Sequence, residues 1–236
     1  FLDKIDEICI VDNGTGMTIE ALESCLAVGG RDDGDDNHEN HTGRFGYGLP
    51  NSSMSQCKKV EVYSWQKKDD IYYTYLDFDE VLKNQEQFCN PVEKKDLPKK
   101  ITDCLKNKIN DSGTIIVWSK CDRLDIARSE TLFNHMNDDL CRTFRHRLDN
   151  DESYGKKVSI NYLIADKDFN KCFVANDPIY ILTPNTTPEH ENEATNEIVS
   201  EDDIPINYLD DDMSIKTHNV KMIFTVAKPS IQAIGG

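Results

Sequence analysis

The chain has 236 residues, of which 38% are hydrophobic, and its mean hydropathy is −0.61. This length is enough for one large or two small domains with a buried core, and no apolar run approaches the ~20 residues of a membrane-spanning helix. The net charge of −16 argues against a broad surface for nucleic-acid phosphates, and we expect no membrane partner.

The eight cysteines stand singly and form no CxxC pair, so we predict reduced thiols rather than a zinc site. Several lie in apolar runs, where a thiol behaves as a small hydrophobic group. Together with the absence of a signal-peptide pattern, this favours a cytoplasmic protein, or a nuclear one in a eukaryote. Because the chain begins at Phe1 and ends just after a strand-like run, we expect it to be a fragment.

The first predicted element is a short, buried strand over 7–11, rich in β-branched residues. A turn follows from Asp12 to Gly16. Thr18 can cap a helix whose apolar residues recur at helical spacing and which Gly29-Gly30 ends. Residues 31–42 are polar and show no periodicity, which predicts a mobile loop.

A glycine-rich stretch from Gly43 to Gly48 leads into a predicted short helix over 49–56, where Pro50 fits the first turn. Alternation of apolar and polar residues predicts a hairpin with strands at 59–65 and 71–78. The charged segment 79–111 predicts one or two short helices.

Later elements divide into a helix and several strands. Apolar residues spaced by four predict a helix over 129–148, and the polar stretch 149–155 predicts a linker. We therefore place a domain boundary at 150, between a domain over 1–150 and a partial second domain over 151–236. Strands are predicted over 113–118, 158–164, 178–182, 204–209 and 220–226, and a disordered or protruding loop over 185–203.

The turn after the first strand carries candidate binding residues. The carboxylate of Asp12 could accept a hydrogen bond from an exocyclic amine such as adenine N6. Gly14 and Gly16 permit a sharp turn beside a flat ring, and Met17 offers that ring an apolar contact. The alternative is an ordinary Asp-Asn-Gly turn between a strand and a helix.

The second glycine stretch is a candidate anion site. Exposed backbone N–H groups at a helix N-terminus bind phosphate, and Gly43, Gly46 and Gly48 would allow a close approach. The stretch is not a P-loop, because no Gly-Lys-Ser/Thr follows, and it is not a dinucleotide fingerprint. The alternative is a flexible loop.

Three motifs together resemble the GHKL ATPases, in particular the MORC, ninety-kilodalton heat-shock chaperone and MutL types. They are Asp12-Asn13-Gly14-Thr15-Gly16-Met17, Gly43-Arg44-Phe45-Gly46-Tyr47-Gly48-Leu49 and Ser112-Gly113-Thr114. Their order and spacing match the two glycine boxes and the later Gly-Thr element of that superfamily, over residues 7 to about 148.

The resemblance implies a site for ATP and Mg²⁺. Asp12 would bind adenine, Thr114 would support it through water, and residues 31–42 would form the ATP lid. The implied nucleotide ligands are Asp12, Gly14, Gly16, Met17, Gly43, Phe45, Gly46, Gly48 and Thr114. The family's catalytic Glu and magnesium-binding Asn precede the first box, so we expect them to lie outside this chain or to be absent, and we assign no catalytic or metal residue.

The implied fold is α+β, a two-layer α/β sandwich (the Bergerat ATP-binding fold) with a mixed sheet and helices on one face. A β-rich, transducer-like region would follow it. The implied function is ATP binding with slow hydrolysis, which drives lid closure, conformational switching or homodimerisation in a larger protein with an unknown protein or nucleic-acid client. The alternatives are an inactive nucleotide-binding scaffold and a histidine-kinase-like phosphoryl donor.

Overall fold

The computed structural model describes residues 4–29, 46–85, 90–106, 109–148, 157–165, 167–183, 189–190 and 192–233. The chain forms two compact units, Phe1–Ser129 and Glu130–Gly236. Within the described residues, no helix has the length and apolarity needed to cross a membrane.

Among its described residues, the first unit forms a five-stranded sheet with four short helices. The strands, in the spatial order β1-β5-β2-β3-β4, are β1 (Glu7–Asp12), β5 (Gly113–Ser119), β2 (Lys59–Trp65), β3 (Tyr72–Asp77) and β4 (Glu93–Lys94). The helices are α1 (Ile19–Ser24), α2 (Gly48–Gln56), α3 (Phe78–Asn84) and α4 (Lys99–Cys104). The helix over 49–56 and the hairpin are thereby confirmed. The helix after Thr18 is also present, but it ends at Ser24 and not at Gly29 as predicted.

The α+β architecture is also confirmed, but the sheet is not mixed. All four neighbouring strand pairs are antiparallel. The physical reason is the insertion of β5 between β1 and β2: β5 runs against both neighbours, while β2 and β3 form a simple hairpin.

Each face of the sheet has its own core. On one face, Val60 and Val62 of β2 pack with Leu22 of α1 and with Leu26, which lies two residues beyond the end of that helix. On the other face, a second cluster is formed by Tyr63, Trp65, Tyr73, Leu97, Ile101, Ile115 and Val117. The expectation of helices on one face holds for α1 and α2, whereas the short α4 contributes Ile101 to the opposite side.

The first strand lies where the sequence predicts it, but it is not buried. β1 is an edge strand whose only described neighbour in the sheet is β5, and Ile10 and Val11 are 45% and 44% exposed. An apolar, β-branched run fits either a central or an edge strand, so its composition does not determine its burial.

The second unit begins with a helix. α5 (Ser129–Thr143) and α6 (Arg145–Leu148) occupy the segment predicted as one helix. Phe133 of α5 stacks on Phe173 with a centroid distance of 5.1 Å and packs edge-on against Phe169, which belongs to the hairpin of β6 (Asn161–Ile164) and β7 (Phe169–Cys172). These contacts place α5 with the second unit, while the domain boundary at 150 stays a prediction.

Two predictions for the second unit are wrong. Residues 178–182 form a turn rather than a strand, because the Asp177 carboxylate accepts the N–H groups of Ile179, Ile181 and Leu182 at 2.8–3.1 Å. The acidic stretch over 185–203 is strand from 196 onward, since β8 (Asn196–Leu209) pairs with β9 (Ile215–Ala227). A four-residue helix, α7 (Pro229–Gln232), follows β9.

Candidate functional site

Three polar side chains form a row across the sheet where β1 ends. Asp12 of β1 lies opposite Thr114 of β5, and Thr114 lies opposite Ser64 of β2. Directly paired residues of antiparallel strands point to the same face, so all three project from the face that α1 and α2 cover. The row ends in two buried hydroxyls on one side and an exposed carboxylate on the other.

Ser64 connects this row to the turn that follows β1. Its hydroxyl accepts the N–H of Met17 at 2.8 Å and lies 3.1 Å from Thr114 Oγ1 and 3.2 Å from the carbonyl of Gly113. A serine hydroxyl has one proton. If Ser64 donates it to Gly113, Thr114 donates to Ser64; if Ser64 donates to Thr114, the Thr114 proton is left for a group outside the row.

The carboxylate of Asp12 is held in place but not neutralised. Its Oδ1 accepts the N–H of Gly14 at 2.8 Å, as in an Asx turn. Among the described residues, nothing donates to Oδ2, and no ion pair includes Asp12. An ideal Cβ at Gly14 would lie 2.9 Å from Oδ1, so a side chain there would displace the carboxylate.

Gly16 lets the turn come against β2. Its φ is +72°, and an ideal Cβ would lie 2.1 Å from the carbonyl oxygen of Trp65. A similar constraint holds at Gly113, where a Cβ would lie 2.5 Å from the carbonyl oxygen of Asp12. Ser112 also stabilises the turn after β1, because its hydroxyl donates to the carbonyl of Gly14 at 2.8 Å.

The second glycine stretch contacts the turn that follows α1. The N–H of Gly29 donates to the carbonyl of Gly46 at 3.2 Å, and Gly46 has a φ of +65°. α2 then begins at Gly48, without a side-chain hydrogen bond at its N-cap and without an acidic residue in its first turn. The first N–H groups of such a helix have no intrahelical acceptor, so they are available to an anion.

The structure describes seven of the nine predicted ligands. Asp12, Gly14, Gly16, Met17 and Thr114 come together around the polar row, whereas Gly46 and Gly48 lie at the start of α2. Gly43, Phe45 and the predicted lid over 31–42 are outside the described residues.

Sequence reasoning missed Ser64 and gave Ser112 no role. The available signal was weak: Ser64 continues the alternation of Val60 and Val62, so it is a polar residue at a position where β2 is otherwise apolar and buried. Its pairing with Thr114, 50 positions away, depends on the register of β5 and is not a local property.

The opposite end of the sheet carries a charged cleft. Its lining includes Lys4, Asp6, Lys58, Asp79, Lys120 and Asp122. Lys120 donates to Asp77 at 2.8 Å and lies 3.7 Å from Asp79. Since its cations and carboxylates are equal in number and largely paired, this cleft suits a polyphosphate poorly.

The pairing of Asp77 with Lys120 shifts the pKa values of both residues. Burial raises the pKa of Asp77, but the hydrogen bonds from Lys120 and from the N–H of Asp79 outweigh it and hold the pKa below its ordinary value. The same contact with Asp77 raises the pKa of Lys120. Asp77 is thus a compensated, structural carboxylate.

The donor set at the polar row fits an adenine nucleotide. A carboxylate oxygen without a protein donor can accept an amine proton, and the glycines leave room that a Cβ would fill. At α2, backbone N–H groups fit phosphate. For Mg²⁺, the described residues hold no group of three or more His, Cys, Asp or Glu; Mg²⁺ in nucleotide sites is bound by the phosphates with few protein ligands.

A comparison with protein-family models found one family that matches the first unit. Residues 2–114 match the model described as histidine kinase-, DNA gyrase B-, and HSP90-like ATPase. The comparison with curated proteins gave no match. Domains of this family bind ATP, generally with Mg²⁺. The matched segment contains both glycine turns and ends at Thr114, the centre of the polar row, so the match supports a GHKL-type ATPase domain over residues 2–114.

Proposed function

We propose that the first unit binds ATP with its adenine at the polar row and its phosphates at the N-terminus of α2. The observation that carries this proposal is the open Oδ2 of Asp12 beside the Ser64–Thr114 hydroxyl pair, on the face of the sheet that α1 and α2 cover. In this arrangement Asp12 accepts a proton of adenine N6, and Thr114 contacts the base through its hydroxyl or a bridging water.

The separation of the two turns supports this orientation. The first turn leads into α1 at Thr18, whose hydroxyl accepts the N–H of Ala21, and the second turn meets the other end of that segment at Gly29. α1 covers six of the residues between them, which at 1.5 Å per residue span about 9 Å. A base at one turn and phosphates at the other would therefore lie along α1.

Bound nucleotide would serve as a conformational switch. We propose that residues 31–42 close over ATP and that Gly43 and Phe45 belong to the same phosphate-binding turn as Gly46 and Gly48. Mg²⁺, when bound with the nucleotide, would stabilise the charge that develops on the phosphates during slow hydrolysis. ATP-dependent homodimerisation and kinship to the MORC, heat-shock chaperone and MutL types belong to this proposal.

Isothermal calorimetry with a chemically altered base tests the adenine contact. Inosine triphosphate carries a carbonyl oxygen in place of the 6-amino group, so it presents an acceptor to the acceptor Asp12. We expect the wild-type chain, with Mg²⁺, to bind a non-hydrolysable ATP analogue at least tenfold more tightly than the matching inosine analogue, because the Asp12 carboxylate would face an unpaired oxygen.

Asp12→Ala completes this test. The variant should bind both analogues weakly and about equally, because the residue that distinguishes them is gone. Glu20→Ala, on the exposed side of α1, is the matched control and should retain the wild-type preference. A folded wild-type chain that binds neither analogue would refute nucleotide binding, whereas equal affinities in the wild-type chain would refute only the role of Asp12.

A further inference from the structure

Two cysteines of the first unit lie on the same side of its sheet. Side chains alternate along β1, so Cys9 shares a face with Glu7. Glu7 contacts Lys100 of α4 at 3.1 Å, which shows that α4 lies on this face. Cys104 is the last residue of α4 and follows Lys100 by four positions.

α4 and β1 run in the same direction. The chain that follows α4 reaches Asn110, whose carbonyl accepts the indole N–H of Trp65 at 3.0 Å. Trp65 pairs with Gly113 at the end of the sheet where β1 terminates in Asp12. Since the first turn of α4 contacts the start of β1, the helix runs along β1 toward Asp12.

The spacing along these two elements brings the two thiols together. Two residues of a strand advance about 6.6 Å, and four residues of a helix advance about 6 Å along its axis. From the contact of Glu7 with Lys100, these steps lead to Cys9 on the strand and to Cys104 on the helix. Lys100 and Cys104 lie on the same side of α4, because residues four apart are neighbours on a helix surface.

The thiol of Cys9 is influenced by Cys104. Burial raises the pKa of the Cys9 thiol to about 12, and the negative charges of Glu7 and of an ionised Cys104 act in the same direction. Cys104 is therefore close enough to change the ionisation of Cys9. As whole residues, Cys9 on the edge strand and Cys104 at the end of α4 are nevertheless exposed, so a small oxidant can reach them.

We propose that Cys9 and Cys104 form a reversible disulfide when the protein meets a small-molecule disulfide such as oxidised glutathione. The bond joins the edge strand β1 to α4. Among the described strands, β1 has only β5 as a neighbour in the sheet, and it carries Asp12 at its end. The bond thus fixes the strand that carries the proposed adenine ligand. It requires no nucleotide, so its test is independent of the proposed ATP site.

The disulfide exchange has two steps. Cys104 reacts first, because the raised pKa keeps Cys9 protonated at neutral pH. The Cys104 thiolate attacks one sulfur of oxidised glutathione and expels one glutathione thiolate, and the Cys9 thiolate then attacks the Cys104 sulfur and expels the second. Two protein thiols are oxidised to one disulfide, one glutathione disulfide is reduced to two thiols, and the two cysteine protons pass to the glutathione thiolates.

Oxidation of the full 236-residue chain with excess oxidised glutathione, without nucleotide, tests the proposal. After alkylation of the remaining thiols, peptide mapping by mass spectrometry should find a linked pair of peptides that contains Cys9 and Cys104. Cys104→Ser should abolish this pair. Cys172→Ser removes an exposed cysteine of the second unit, so it is the matched control and should retain the pair.

The bond should also stabilise the first unit and restrain β1. Because it closes a long loop, the oxidised wild-type chain should melt roughly 5 °C or more above the reduced chain. Hydrogen exchange at the amides of β1 should slow on oxidation and recover after reduction with dithiothreitol. The second step should accelerate about tenfold for each pH unit around neutrality, since the thiolate fraction of Cys9 rises by that factor below its pKa.

Several outcomes of these measurements would overturn the proposal. A wild-type chain that stays reduced, or one that forms only mixed disulfides with glutathione, would show that the two thiols do not meet. A linked pair in which Cys104 joins a cysteine other than Cys9 would contradict the direction of α4. A bond between Cys9 and Cys104 that leaves the hydrogen exchange of β1 unchanged would exclude its anchoring role.

Discussion

The carboxylates at the two ends of the same sheet differ in their charged partners. At one end, Asp12 is fixed by a single backbone N–H and faces no cation among the described residues. At the other end, β2 and β3 pair Lys59 with Asp77, and Asp77 is compensated by Lys120 at 2.8 Å. Both residues terminate a β-strand and both accept a nearby backbone N–H, so the difference lies in the cation and in burial, since Asp77 is buried and Asp12 is exposed.

This difference distinguishes a carboxylate that can bind a ligand from one that stabilises the fold. A buried carboxylate with a cation partner stabilises the fold that holds it, whereas an exposed carboxylate without one contributes little to stability and keeps its acceptor for a ligand. The hydroxyls of Ser64 and Thr114 position the second kind of group without neutralising it. Substitutions at the two ends should therefore affect different properties.

The largest expected effect is on the first turn. Gly16→Ala forces a Cβ into the carbonyl of Trp65 at a φ of +72° and should destabilise the first unit by about 3 kcal/mol or more. Gly48→Ala is the control, because an added Cβ there meets nothing within 4 Å and alanine favours a helix. Urea unfolding measures both variants; equal stabilities would contradict the close approach of the turn to β2.

Ser64→Ala should have the next largest effect. It leaves the N–H of Met17 and the Thr114 hydroxyl without their shared partner, at a cost of about 1–3 kcal/mol. Hydrogen exchange at the Met17 amide should accelerate in this variant. Ser55→Ala, on the exposed side of α2, should change stability by less than about 0.5 kcal/mol; an unchanged Met17 amide in Ser64→Ala would exclude the anchoring role.

Asp77→Asn should destabilise the chain by about 1–2 kcal/mol at neutral pH, because it removes the charge that Lys120 neutralises. The folded state lowers the pKa of Asp77, so its contribution is complete above the ordinary aspartate value of about 3.9 and is lost as pH falls through the lower folded value. Thermal unfolding between pH 7 and pH 2 should show wild type and variant converging in acid. A constant difference at all pH values would be inconsistent with this assignment.

The smallest effect is expected at a surface ion pair of the same end. Lys100 lies 3.1 Å from Glu7, but its side chain is 65% exposed. Lys100→Ala should therefore cost no more than about 0.5 kcal/mol, and less at high salt. A loss as large as that of Asp77→Asn, measured by the same unfolding experiment, would show that pairing rather than burial sets the contribution.

Local sequence determined one part of the site and not the other. Asp12, Gly16 and the helix capped by Thr18 follow from residues that are neighbours in the chain, so the turn and its helix could be predicted. The contact of Ser64 with Thr114 arises from the insertion of β5 between β1 and β2, which no local pattern encodes. The same limitation explains why β1 was expected to be buried.

The second unit shows a related limitation. The acidic composition of 185–203 predicts a loop when taken alone. Cross-strand partners override it from residue 196 onward, where Glu201 pairs with Lys221 and Ser200 lies opposite Phe224. Strand propensity depends strongly on such partners, and they are 20 or more positions away in the sequence.

A parallel measurement on Asp12→Asn and Asp77→Asn separates the ligand-binding carboxylate from the structural one. Each variant is assayed at neutral pH for its melting temperature and for its affinity for an ATP analogue with Mg²⁺. We predict that Asp12→Asn melts like the wild-type chain but binds at least tenfold more weakly. The amide oxygen would keep the hydrogen bond from the N–H of Gly14, so the amide NH2 group would replace Oδ2 and face the N–H groups of adenine N6. Asp77→Asn should melt earlier and bind normally where it is folded. If Asp12→Asn retains wild-type affinity, or if both variants lose affinity only in proportion to their stability, the account is contradicted.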